Sequence, residues 1–137
     1  MGLKDLIRAA DDIRHQDDVE IPEWAPGVMF QVRGLPDEDW EEYQNKLSRL
    51  TVKQGRNADA EMAVRTNKAE IVAKALYDQE SGELVFPELK EGVAILRKKS
   101  AGIVNGLFEL VKHLSDDDKD FVEKVKDAEE DFSGGQN

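Results

Sequence analysis

Ile103, Val104, Leu107, Phe108, Val111 and Leu114 recur at the 3.6-residue period and lay a wide apolar stripe along one side of a helix. A helix with so broad a stripe persists only when that side is covered, because an isolated helix of this length is marginal in water. The chain must therefore supply packing partners, or another protein must. Ser100 stands where an N-cap belongs, and Arg97, Lys98 and Lys99 suit the negative end of a preceding helix carrying Leu89, Val93 and Leu96. Whether Leu107, Phe108 and Val111 face the protein's own core or another protein's helix is left open by the sequence.

The rest of the chain supplies candidates for the cover. Leu3, Leu6, Ile7, Ala10 and Ile13 predict an amphipathic helix of about three turns. Residues 15 to 18, HQDD, read as a linker, and VEIPEW as an edge strand that Pro22 ends. Val28, Phe30 and Val32 alternate with Gln31 and Arg33, the pattern of a half-buried strand. Pro36 and the acids Asp37, Glu38 and Asp39 open a helix whose buried stripe is Trp40, Tyr43, Leu47 and Leu50. Residues 58 to about 71 predict a further helix, 72 to 78 a strand, and ELVF a returning strand across the turn from Asp78 to Gly82. Ser115 with Asp116, Asp117 and Asp118 starts another helix whose face is Phe121, Val125, Ala128 and Phe132. These elements predict an α+β fold: a small antiparallel sheet packed with four to five helices. Residues 1–18 form an N-terminal helix and linker, 19–132 one domain, and 133–137 a disordered tail.

Charge narrows the function classes. The chain has 137 residues and a net charge of -11, spread as 12 acids and 6 bases over residues 1 to 50, 9 and 10 over 51 to 114, and 9 and 3 over 115 to 137. A neutral centre between acidic flanks lacks the clustered cations that displace counterions from phosphate, which argues against nucleic acid and anionic membranes as partners. With no cysteine there is no disulfide framework, thiolate metal site or cysteine nucleophile. No window approaches the ~18 apolar residues of a membrane span, so a soluble cytoplasmic protein is expected.

Motifs for chemistry fail on inspection. Read from Gly92 as a phosphate-binding loop, the second glycine position holds Arg97 and the hydroxyl position holds Lys99. The run SDDDKD lacks the central glycine of a calcium loop, and acids at a helix start explain it. His15 and His113 lack the spacing of metal ligands, and no serine sits in a nucleophile elbow. No enzyme and no cofactor or metal site is expected. The candidate partner contacts are Trp24, between Pro22 and Pro26, Leu107, Phe108 and Val111, and Phe121 and Val125; packing in the chain's own core is the competing role, favoured for Trp24 and for at least half of the set.

The order of these features resembles a known family. VEIPEW, a strand running into VRGLP and an acidic helix, IVAKALYDQESGELVF, and LRKKSAGIVNGLFELVKHLS followed by acids look like the tail assembly chaperones of long, non-contractile-tailed bacteriophages. The resemblance spans most of residues 19 to 125. Its most telling pieces are Val32-Arg33-Gly34-Leu35, the Asp78 to Gly82 turn followed by Phe86, and Lys99-Ser100 leading into the helix that ends at Leu114-Ser115. The turn is longer than the family's compact form, and Pro87 and Gly92 interrupt the segment after it.

The resemblance implies a non-enzymatic protein of the infected host's cytoplasm. It would hold the tape measure protein while tail tube subunits assemble, and would be absent from the mature virion. It also implies a longer frameshifted form that engages the tail tube protein, diverging near SGGQN, and allows a homo-oligomer. Two rival expectations stand beside it: a structural tail component retained in the virion, and an acidic regulator that binds a host protein.

Overall fold

The computed structural model describes residues 2–53, 58–116 and 125–126. Among them are three strands and five helices in the order α1 (Leu3–Ala9), β1 (His15–Glu20), β2 (Met29–Arg33), α2 (Asp37–Lys53), α3 (Ala58–Ala75), β3 (Leu76–Asp78), α4 (Leu89–Leu96) and α5 (Ala101–Asp116). The strands form one antiparallel sheet ordered β1-β2-β3. This is the expected α+β architecture.

The core gathers around the second half of α3. Ala69, Ile71, Val72, Ala73 and Ala75 are all buried, and α2, α4 and α5 pack on this helix. Helix α5 also reaches β2, where Phe30 and Val32 turn inward and Gln31 and Arg33 outward, as the alternation requires. Trp40 and Tyr43 of α2, Leu96 of α4, and Leu107, Phe108 and Val111 of α5 complete the cluster. Each fully buried aliphatic or aromatic side chain contributes about 1.5–3 kcal/mol relative to exposure.

Several expectations are corrected. The N-terminal helix ends at Ala9 rather than Ile13 and contains no buried residue. Residues 15 to 18 are not a linker but the first part of β1, pairing His15 with Arg33 and Gln16 with Val32. The ladder shifts between Gln16 and Val19, and Asp18 takes a left-handed φ of 58°, as an aspartate in a bulge tolerates. The Asp18 N–H donates to Gln79 Oε1 at 2.6 Å while Gln79 Nε2 donates back to Asp18 Oδ1 at 2.8 Å, which fixes the irregular stretch. Strand β1 stops at Glu20, before the buried Ile21, and Val28 lies outside β2 and exposed.

Residues 72 to 75 are helix, not strand. Because this end of α3 is buried over most of its circumference, with Glu70 and Lys74 left as a narrow half-buried polar edge, its 3.6-residue period is weak, and Ile71, Ala73 and Ala75 then also fit a period of two. The returning strand shrinks to one bridge, Tyr77 with Leu84, across a turn in which the Gly82 N–H donates to the Asp78 carbonyl. Ser115 does not start a helix. It lies in the last turn of α5, where its hydroxyl donates to the Val111 carbonyl at 2.6 Å and accepts the Leu35 N–H at 2.8 Å. The predicted terminal face of Phe121, Ala128 and Phe132, and the tail 133–137, lie outside the described residues.

Two glycines are required by close approach. A methyl group on Gly34 would lie 2.7 Å from the Leu114 carbonyl oxygen, and one on Gly92 would lie 2.6 Å from Phe86 Cβ. Gly92 therefore seats α4 against Phe86 instead of weakening the helix without return. Gly106, also helical, has open space around it. Gly92→Ala is expected to destabilise the fold by about 1–3 kcal/mol through overpacking, whereas Gly106→Ala should stabilise it by about 0.5–1 kcal/mol; urea unfolding of both variants checks the contrast. Ser115→Ala leaves the Leu35 N–H without its acceptor and should cost about 1–3 kcal/mol in the same measurement.

Candidate functional site

The six residues marked by the sequence separate into three environments. Leu107, Phe108 and Val111 are buried in the core of this chain. Trp24 is half-buried, packed against the edge of that core in the turn between β1 and β2, with its N–H donating to the Ile21 carbonyl at 2.9 Å. Val125 is exposed, and Phe121 lies outside the described residues. The structure thus brings Leu107, Phe108 and Val111 together, and they face the protein's own interior.

Phe108 sits in an aromatic group at the α2–α5 contact. Its ring centroid is 5.4 Å from that of Tyr43 and 6.3 Å from that of Trp40, with Trp40 and Tyr43 5.2 Å apart. Lys68 Nζ of α3 lies 5.1 Å from the Phe108 ring centroid, within cation–π range. Burial pushes the Tyr43 phenol above its ordinary value, and the nearby Glu109 charge adds to the shift. The Trp40 indole N–H is buried without an acceptor among the described residues.

Beside this group, ion pairs clamp α2 to α3. Lys46 contacts Glu70 at 3.2 Å and Glu42 at 3.3 Å, and Lys74 reaches Glu70 at 3.5 Å and Asp39 at 3.8 Å. Burial acts to lower the Lys46 amine, but the hydrogen bond and charge of Glu70, joined by those of Glu42, outweigh it and hold Lys46 above its ordinary value. The arrangement alternates sign and holds helices together. It does not concentrate charge as a catalytic site does.

Outward-facing features were less visible in the sequence. Leu3 and Ile7 of α1 are 77% and 75% exposed, and Leu6 is also exposed, so the apolar stripe read in the sequence is on display. Elsewhere, Gln31 bridges the polar face of the sheet, donating to Asp17 and accepting from Arg33, whose guanidinium lies 3.8 Å from the Tyr77 ring centroid. Among the described residues no group of three His, Asp or Glu side chains could hold a metal, and no helix is long and apolar enough to cross a membrane.

Comparison with known proteins finds a likeness of fold. No family model and no curated protein sequence matches the chain. Among solved structures, it is similar to the bacteriophage HK97 tail assembly chaperone, with a TM-score of 0.57 at 18% identity, covering 81% of this chain and 95% of that one. The two share a fold over nearly the whole of the phage protein.

The Tyr43 shift has a measurable consequence. The folded chain holds the phenol proton more tightly than the unfolded chain, so this group's contribution to stability is complete below about pH 10 and is lost as pH rises through the folded value. In a Tyr77→Phe background, phenolate absorbance from Tyr43 should appear at higher pH in the folded protein than in urea. Coincident titrations would show that Tyr43 is not held in this environment.

Proposed function

We propose that this chain is a tail assembly chaperone of a long, non-contractile-tailed phage, which holds the tape measure protein until the tail tube encloses it. The observation that carries the reading is the fold shared with the HK97 chaperone over 95% of that protein. The order of motifs through residues 19 to 125 supports it independently. On this reading the protein works by binding, in the host cytoplasm, and leaves before the virion is complete.

The physical requirements of the role fit the surface. A tape measure protein is long and helical, and its apolar faces are uncovered until the tube forms around it. A holder must offer apolar side chains of its own on a body whose charge opposes aggregation. Leu3, Leu6 and Ile7 meet the first requirement and the net charge of -11 the second. We assign α1 as the contact surface in place of Leu107, Phe108 and Val111, whose side chains are already occupied by the core. Tail tube contact through a longer frameshifted form is part of the same proposal.

Co-expression with a helical tape measure fragment tests it. The fragment should become soluble and co-purify with the chain, and replacing Leu3, Leu6 and Ile7 together by serine should abolish the complex while changing stability by no more than about 0.5 kcal/mol, since these side chains are exposed. A fragment that stays insoluble and unbound would count against the role. Abundant, stoichiometric presence of the chain in purified particles would point instead to a structural tail component.

A further inference from the structure

Two of the three cations before α5, Arg97 and Lys99, belong to a larger feature that the linear sequence hides. Where α3 meets the turn between α4 and α5, the surface opens into a groove of about 540 Å³. Arg65 and Lys68 from α3 and Arg97 and Lys99 from the turn line it, together with Leu96 and Val104. Among the described residues no carboxylate lines the groove, although acids outnumber bases by 30 to 19 in the whole chain.

The cations are available. Arg65, Arg97 and Lys99 pair with no carboxylate among the described residues. Lys68 is held in place by donating to Asn105 Oδ1 at 3.1 Å and by the Phe108 ring, so its charge is fixed beside the groove without being neutralised. The first turn of α5, which borders the groove, contributes no acid either. Ala101 is exposed and Val104 half-buried, so part of the surface beside the cations is apolar, with Leu96 closing the groove from beneath.

We propose that this groove binds an acidic amphipathic helix of a partner protein, with Glu or Asp side chains on Arg65, Arg97 and Lys99 and an apolar stripe over Ala101 and Val104. An acidic helix uses both kinds of surface that the groove offers. A nucleic acid would use only the cations, and its long phosphate chain would be repelled by the acidic body around them. A small anion would leave the apolar part uncovered. The proposal is independent of the chaperone reading and stands or falls separately from it.

Fluorescence anisotropy with the full chain tests the assignment. The probe is a labelled helical peptide of about 18 residues, with a leucine stripe flanked by glutamates. It should bind saturably, and more weakly as salt rises, because partly exposed charge pairs are screened. Arg97→Glu with Lys99→Glu should weaken binding at least tenfold, as should replacing the peptide's flanking glutamates by glutamine. Both substituted residues are exposed, and an unchanged thermal midpoint confirms that the fold is intact. Three results would overturn the proposal: no saturable binding, binding that the charge reversal leaves unchanged, or a DNA duplex or inorganic phosphate binding the same residues more tightly than the peptide. Self-association that the peptide does not compete with and the reversal abolishes would likewise overturn it, by giving the groove to a second copy of the chain.

Discussion

Burial of Ala69, Ile71, Val72, Ala73 and Ala75 in the second half of α3 is the constraint from which the rest of the fold follows. Ala69, Ala73 and Ala75 keep that helix narrow, so that other elements approach closely enough to exclude water. Ile71 and Val72 then supply bulk between them. Helix α4 comes near enough that a methyl group on Gly92 would lie 3.3 Å from Ala73 Cβ and closer still to Phe86. Helix α5 uses the remaining side and carries its stripe into the same core. Without α3 at the centre, the apolar faces of α4 and α5 would have nothing to share.

A second lock joins the sheet to the helices, and it explains why distant sequence pieces occur together. Gly34 lets the β2–α2 connection pass against the Leu114 carbonyl, and Ser115 takes the Leu35 N–H. Arg14 donates to the His113 carbonyl at 2.7 Å, and the Gly34 N–H donates to the carbonyl of Arg14 at 2.8 Å. The Arg33-Gly34-Leu35 and Leu114-Ser115 segments, read separately as weak signatures, are two sides of one contact. Phe86, in the turn signature, is likewise packed closely, against Gly92 of α4, although Gly92 itself departs from the family pattern. Motifs in the right order carried information because close packing, which leaves little freedom of residue choice, joins them in space.

What could be read from the sequence followed how unequal an element's faces are. Strand β2 and helices α2 and α5 each have one wet and one dry side, and their inward residues Phe30, Val32, Trp40, Tyr43, Leu107, Phe108 and Val111 are evident from spacing. The end of α3 keeps only a narrow polar edge of Glu70 and Lys74, so its period is weak and four helical residues passed for strand. HQDD passed for a linker because polar composition says nothing about pairing, which β2 and the side chain of Gln79 provide. Exposure was the harder matter. The stripe of α5 is wider than that of α1, yet only α1 displays its stripe, and which helix finds a partner is decided by tertiary packing. The basic groove was hidden for a similar reason: Arg65 and Lys68 are far from Arg97 and Lys99 in sequence, and α3 brings the two pairs together.

The proposed contact surface is separate from the interior. The aromatic group and the ion pairs join α2 to α5 and α3, while α1 presents exposed apolar side chains. Hydrogen exchange on the full chain, with and without a helical tape measure fragment, tests this division most directly. The account predicts that amides of residues 3 to 9 gain protection on binding while those of α3 and α5 remain as protected as in the free protein. Loss of protection in α5, with Leu107, Phe108 and Val111 released from the core to meet the fragment, would contradict it.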